Sequence, residues 1–209
     1  MANNIIRHNL TLDGKSWVDV FELPQNLLPT QTQFNKLYNL HPEDKGIVKI
    51  FGKEIEVPRW QQPYGKNYKF SGIEHEALPI PVILKKYLDY ANEFNYKDNY
   101  DNDFNMMLLN WYENGSHYIG YHSDDEKEME INDNNESVVF SISLGQDRDF
   151  YLKNKKTNVV TKIPMKNGTV LVMGGKTQKT HKHSVPKISG AKGQELGRRI
   201  NITMRIFKD

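Results

Sequence analysis

A chain of 209 residues can bury one good core and is short for two, so a single domain is expected. Hydrophobic residues make up 37% and charged residues 26%, with 11 Tyr, 9 Phe and 3 Trp, a balance that excludes wholesale disorder. There is no cysteine, which excludes disulfides and thiolate metal sites; any metal must sit on His, Asp and Glu, ligands that favour Fe(II), Mn or Zn.

Along the chain, the first candidate element is a helix over Gln31 to Leu40, where Phe34, Leu37 and Tyr38 recur at helical spacing. Lys45 to Lys69 is basic and interleaved with Phe51, Trp60, Tyr64 and Tyr68, a mixture that suits phosphates and stackable bases but also suits a solvated loop region with ordinary core aromatics. A second helix is expected over Val82 to Phe94, with Leu84, Tyr87, Leu88 and Ala91 on one face, followed by an Asn/Asp/Tyr-rich loop over Asn95 to Asp103.

After that loop the hydrophobic period changes to two. Met106 to Tyr112, Tyr118 to His122, Val138 to Leu144, Phe150 to Leu152, Val159 to Ile163, Thr169 to Met173 and Ile200 to Phe207 are short β-branched or aromatic runs separated by turn residues such as Asn167-Gly168. Phe140, Ile142 and Leu144 share one face of their run and Ser141 and Ser143 the other. The fold class is therefore α+β: a double-sheet jelly roll with helices packed outside it. No apolar run approaches membrane-spanning length and the start lacks a secretory pattern, so a soluble intracellular protein, cytoplasmic or nuclear, is expected.

Net charge is only +2 but uneven: Asp124 to Glu136 is acidic, while Lys176 to Arg199 collects Lys182, Lys187, Lys192, Arg198 and Arg199. His122 and Asp124 stand two apart at the end of a strand, so both side chains point to one side if the strand conformation persists. His183, from another strand, completes two histidines and one carboxylate, the facial triad that holds Fe(II) with open positions. His181 would share the face of His183; His183 is preferred because Pro186 fixes the chain just past it, and His181 is expected to be exposed or to act behind the ligands. His117, before the strand, is a poor candidate.

In Arg199-Ile-Asn-Ile-Thr-Met-Arg205, polar and apolar residues alternate strictly. Two arginines directed into a barrel require an anion, and a dicarboxylate beside the metal explains both together with Thr203; protein carboxylates, or an edge strand with its arginines in solvent, are the alternatives. Asn110 and Tyr112 repeat this geometry as neutral donors, with Met107 and Leu109 turned away.

These residues resemble the AlkB family of Fe(II)- and 2-oxoglutarate-dependent nucleic-acid demethylases, especially its nuclear DNA-repair members. The resemblance runs from about Val48 to Phe207 and rests on Ile50-Phe-Gly-Lys53, Val57-Pro-Arg59, Tyr64-Gly65, Tyr68-Lys-Phe-Ser-Gly72, Asn110-Trp-Tyr112, His122-Ser-Asp-Asp-Glu126, Arg148-Asp-Phe150, His183-Ser-Val-Pro186 and Arg199 to Arg205. It implies His122, Asp124 and His183 as the iron ligands and catalytic centre, and Asn110, Tyr112, Arg199, Asn201, Thr203 and Arg205 around 2-oxoglutarate. It further implies a nucleotide-recognition lid within residues 46–75, between an N-terminal extension (1–45) and a jelly-roll catalytic core (105–207).

On that lid, Tyr68, Phe70 and Ser71 would lie near the damaged base, and Phe51, beside Gly52, would fill the gap left when the base is extruded. Asp125 and Glu126 would read the amino edge of the base, and Arg59 with the Lys187/Lys192 loop would hold phosphates. The implied activity is oxidative demethylation of bases such as N1-methyladenine and N3-methylcytosine in DNA or RNA, with 2-oxoglutarate and O2 consumed and formaldehyde released. The implied partner is alkylated nucleic acid, with no membrane, and the chain is expected to act as a monomer. Two rival functions stand beside it: an oxygenase of the same chemistry acting on protein or a small molecule, and a non-catalytic nucleic-acid-binding jelly roll. The first forty residues and the acidic 126–136 loop match no family motif.

Overall fold

A computed structural model describes residues 4–50, 52–70 and 73–208, with no side chain placed at 49, 50 and 70. The chain begins with a hairpin of β1 (Ile6–Asn9) and β2 (Ser16–Glu22), then α1 (Gln31–Tyr38). Two small hairpins, β3 (Ile47–Ile50) with β4 (Lys53–Glu56) and β6 (Tyr68–Phe70) with β7 (Ile73–His75), flank β5 (Trp60–Tyr64). Next come α2 (Val82–Asn92), β8 (Met106–Tyr112), β9 (Ile119–His122), β10 (Val139–Gly145), β11 (Arg148–Asn154), β12 (Val160–Met165) and β13 (Thr169–Gly175). The chain closes with α3 (Thr177–Thr180), β14 (His181–Val185), α4 (Gly190–Gln194) and β15 (Arg199–Arg205).

The strands assemble into a seven-stranded sheet ordered β1-β2-β13-β10-β15-β8-β5 and a four-stranded sheet ordered β12-β11-β14-β9. Every pairing in both sheets is antiparallel. The two sheets stack as a jelly roll with α1 and α2 on the outer face of the larger one, as the change of period after residue 103 predicts. The Asn167-Gly168 turn also forms where expected, with Gly168 at φ +86, a left-handed conformation that suits glycine.

Two apolar cores result. Under the helices, Leu37, Leu84 and Tyr87 pack with Leu109, Trp111, Phe140, Ile142, Ile200 and Ile202 from the large sheet. Between the sheets, Val18, Leu108, Val139, Leu152, Leu171 and Met173 form the second. The alternation predicted for β10 and β15 is the physical basis of this split, because even-numbered residues of each strand face the helices. Helix α1 starts at Thr30 through a capping box with Gln33 and is tied to β8 by the Trp111 indole N–H donating to Leu37 O at 3.0 Å. An unpaired indole N–H at that depth would cost about 1–3 kcal/mol.

The N-terminal segment departs from expectation, since it supplies two strands of the large sheet rather than a helix alone. In β2, Phe21 faces the helices and Val18 the inter-sheet core, so the strand is apolar on both faces and shows no simple alternation. Gly174 of β13 leaves room for the Trp17 ring of its neighbour, which would lie 2.0 Å from any Cβ there. Among the described residues no helix is long and apolar enough to cross a membrane.

Candidate metal centre and its polar pocket

β9 and β14 lie side by side in the small sheet with His122 opposite His183, and a bulge follows His183. Their ring centroids stand 4.2 Å apart. Asp124 completes the cluster: Oδ1 is 3.6 Å from His122 Nε2, and Oδ2 is 3.7 Å from His183 Nε2. One ligand atom from each residue lies within 4.8 Å of the others, the only such His/Cys/Asp/Glu group among the described residues.

The strand conformation that was expected to aim Asp124 ends at His122. Hydrogen bonds to the other ligand-bearing segment aim it instead. Gln178 Oε1 accepts the Asp124 backbone N–H at 2.9 Å, and Ser123 Oγ donates to His181 O at 2.9 Å. Gln178 is buried on α3, with Nε2 3.4 Å from Met173 Sδ. No periodicity marks it, and only an Asp124 backbone donor in need of a partner would have pointed to it.

The protonation states fit a metal. His122 Nδ1 lies 2.9 Å from Gly120 O, and a proton there leaves the Nε2 lone pair facing Asp124. Burial holds both imidazoles below their ordinary value, His183 down to about 3, so both are neutral donors near neutral pH. Burial pushes the Asp124 carboxyl up, but the Arg205 guanidinium beside it pulls the other way, and the group stays well below the usual carboxylate range. Arg205 Nη2 approaches Asp124 Oδ1 at 2.8 Å, one contact on an oxygen that carries two lone pairs. A buried carboxylate oxygen with a free lone pair beside two neutral imidazoles is the donor set of a divalent cation such as Fe(II).

β15 behaves as its alternation predicts. Asn201, Thr203 and Arg205 line the pocket around the cluster while Ile200, Ile202 and Met204 face the helices. The two arginines, however, have different roles. Arg199 is 1% exposed; its Nε donates to Ser143 Oγ and one Nη to Asn201 Oδ1, both at 3.0 Å, and its Nη1 has no partner among the described residues. Its guanidinium carbon sits 4.9 Å from the Tyr112 ring centroid. This cationic donor lies behind Asn201 and Tyr112, which line the pocket, and its charge suits an incoming carboxylate.

Arg205 is instead counterbalanced from within the chain, by Asp124 and by Glu126 at 3.8 Å, and stacks over Tyr68 at 5.4 Å. Protein carboxylates thus meet part of the Arg205 charge, while its Nε, like Arg199 Nη1, makes no hydrogen bond among the described residues. Asn201 Nδ2 donates to Thr203 Oγ1 at 2.7 Å, which links the polar positions between them.

Several expected positions shift. Arg59, assigned to phosphates, is 3% exposed and inside the pocket, with Nε donating to Asn110 Oδ1 at 2.6 Å and Nη2 to Gln61 Oε1 at 3.0 Å. A guanidinium held there cannot lie along a nucleic-acid backbone. Glu126 turns inward to Arg205 and Tyr68, and burial pushes its carboxyl up to about 7 against the pull of Arg205. Asp125 is exposed, and Tyr68 is buried beside the pocket. Gly52 is exposed at the β3–β4 turn with φ +77.

Phe51, Ser71 and the Phe70 side chain lie outside the described residues. His181 is not exposed but 4% accessible, with Thr180 Oγ1 2.7 Å from its Nδ1. His117 receives the Glu113 N–H, apart from the metal cluster. The acidic loop is braced as well: Glu130 is buried and accepts the Asp101 N–H and Asn102 Nδ2, which ties residues 126–136 to the loop before β8.

A jelly roll whose inner face carries neutral histidines, a deprotonated aspartate and an orphaned arginine has the architecture of an iron and 2-oxo-acid oxygenase. The sequence profile of the 2OG-Fe(II) oxygenase superfamily matches residues 39–205, and the chain belongs to that superfamily. The superfamily's chemistry uses Fe(II), 2-oxoglutarate and O2, and the residues above fit the first two.

Within it the AlkB resemblance holds. The chain is 31% identical over 169 residues to the human protein named DNA oxidative demethylase ALKBH2, covering 76% of this chain and 60% of that protein. The Arabidopsis thaliana protein of the same name is 30% identical over 217 residues, covering 87% and 64% respectively. Human alpha-ketoglutarate-dependent dioxygenase alkB homolog 3 is 32% identical over 164 residues, covering 72% of this chain and 52% of its own. The chain thus spans about half to two thirds of the length of these relatives. The solved structure of OsALKBH1 superposes with a TM-score of 0.56 at 20% identity, covering 90% of this chain and 96% of its own, a likeness of fold.

Proposed function

We propose that the chain oxidatively demethylates N-alkylated bases, such as N1-methyladenine and N3-methylcytosine, in DNA or RNA, with decarboxylation of 2-oxoglutarate and release of formaldehyde. The observation that carries this reading is the His122/Asp124/His183 cluster in one pocket with Tyr68, Asn110, Tyr112, Asn201, Thr203 and Arg205, with the unpartnered Nη1 of Arg199 behind Asn201 and Tyr112. The names of the relatives support the substrate class.

In this reading His122, Asp124 and His183 hold Fe(II), which together with 2-oxoglutarate and O2 supplies the oxidation of an N-methyl group. Arg199 pairs with a co-substrate carboxylate, and Asn110, Tyr112, Asn201 and Thr203 orient it by hydrogen bonds. Arg205 holds Asp124 deprotonated and aimed. Residues 46–75 act as a lid over the 105–207 core, where Tyr68 meets the extruded base, and residues 1–45 extend the large sheet. A methyl group on a base-pairing nitrogen is hidden in the stack, so extrusion is required, and weakened pairing lowers its cost.

The test is formaldehyde and succinate release over N1-methyladenine, N3-methylcytosine and N6-methyladenine oligonucleotides, each single- and double-stranded, together with the Asp124→Ala variant. Methyl-dependent turnover that Asp124→Ala reduces by more than a thousandfold is expected. Succinate release that no methylated strand stimulates would turn the reading toward a protein or small-molecule substrate.

A further inference from the structure

A cleft of about 530 Å³, separate from the metal pocket, opens where the β1–β2 turn faces the β11–β12 turn. One wall is the 10–16 hairpin turn, which lies before the stretch matched by the superfamily profile. The other is the 154–161 turn, and the floor is Thr180 and His181. Its size is that of a pocket for a small organic ligand and far exceeds what a lone inorganic anion needs.

The lining has three chemistries at once. Lys15 and Lys176 border the cleft, and neither ammonium makes a hydrogen bond or a close ion pair among the described residues, although the Thr11 hydroxyl and, behind it, the Lys15 charge help to hold the Asp13 carboxyl below its usual value. The one carboxylate of the lining, Asp13, is already engaged by Thr11 Oγ1 at 2.7 Å and by the Lys15 backbone N–H at 3.1 Å. Leu12 at the hairpin tip is fully exposed and Val159 on the opposing turn is 64% exposed, apolar surface without a covering partner at the rim of a charged cleft. At the floor Asn154 Nδ2 reaches His181 Nε2 only at 3.4 Å and carries a second N–H.

We propose that this cleft is a nucleotide subsite in which Lys15 and Lys176 take a phosphate and Leu12 and Val159 flank the ring. A cation pair beside apolar rim residues, over a floor with spare hydrogen-bonding capacity, matches a molecule with one anionic group and one flat, partly polar ring. Such a nucleotide is either free or one unit of a strand. His181 stands two residues before His183 on β14, about 7 Å along the strand, a separation shorter than that spanned by two nucleotides of an extended strand. Only this strand form rests on the demethylase reading.

The test uses the full chain with Fe(II) and 2-oxoglutarate, and three probes: adenosine 5′-monophosphate, inorganic phosphate, and a twelve-nucleotide single strand carrying one methylated base. The Lys15→Glu/Lys176→Glu double variant should weaken adenosine monophosphate binding about tenfold. It should also flatten the salt dependence of strand binding by about 0.7 in log–log slope for each phosphate that is no longer neutralised. Leu12→Asp should weaken both organic probes at every salt concentration without changing phosphate binding. Turnover of a saturating methylated trinucleotide should stay unchanged in all variants.

A double variant that binds monophosphate and strand like the parent, while the parent demethylates the strand, would overturn the subsite and leave the demethylase reading intact. Equal affinity for phosphate and monophosphate would also overturn it, as a bare anion point. If the parent ignores the strand yet binds monophosphate in a lysine-dependent way, the subsite stands for a free nucleotide and the demethylase reading fails.

Discussion

The two faces of the large sheet use the same strands for opposite purposes. On the helix side of β15, Ile200, Ile202 and Met204 join a cluster of aliphatic and aromatic neighbours, where any side chain of similar volume would serve. On the inner side, Arg199, Thr203 and Arg205 are buried and Asn201 half-buried, but the contacts run to named atoms: Ser143 Oγ, Asn201 Oδ1, Thr203 Oγ1 and Asp124 Oδ1. Burial on one face is non-directional, whereas on the other it is a network in which a single replacement strands a partner. The stability of the protein should therefore depend mainly on the helix face, and its chemistry on the inner face.

The largest expected effect that would sharpen this contrast is at Arg199. Arg199→Met keeps the volume and removes a buried charge, so thermal stability should hold or rise while the KM for 2-oxoglutarate climbs about 10- to 100-fold, the worth of a hydrogen bond between charged groups. Steady-state kinetics and a melting curve check it; an unchanged KM would remove Arg199 from the co-substrate.

Smaller is Gln178→Leu, which leaves the Asp124 N–H unpaired without touching a metal ligand. Fe(II) affinity, read by titration of the metal-free protein, should fall about tenfold, within the range of partners that stand behind metal ligands. Unchanged affinity would mean that Arg205 alone aims Asp124.

The smallest effect is Ile202→Val on the helix face, about 0.5–1.5 kcal/mol in urea unfolding with turnover per folded molecule unchanged. A matching loss of turnover would break the separation of the two faces.

The polar network also explains which parts of the site could be read in advance. His122, Asp124 and His183 were visible as residue types, and the β15 alternation put Arg199, Asn201, Thr203 and Arg205 on one side, where Asn201, Thr203 and Arg205 line the pocket and Arg199 lies against Ser143 and Asn201. The sequence could not show which anion each arginine meets, because Asp124 and Arg205 lie 81 positions apart and become neighbours only when the two sheets stack. Arg59 was misplaced for the same reason: a basic residue in an aromatic stretch reads as surface until β5 pairs with β8 and sets it against Asn110. β2 was missed because a strand buried on both faces has no polar side to reveal its period.

By itself, then, the sequence determined the jelly-roll class, the helices outside it, the inward polar face of β15 and the His122/Asp124 pair, because each is written in local periodicity or residue chemistry, while the choice of His183 over His181 rests on context and resemblance. The tertiary structure decided the rest. It paired Arg205 with Asp124 and left Arg199 a free N–H. It brought Gln178 to the Asp124 backbone, and it joined the N-terminal hairpin to the β11–β12 turn as a second cleft. These groups lie far apart in the chain, and only the closing of one sheet on the other brings them together.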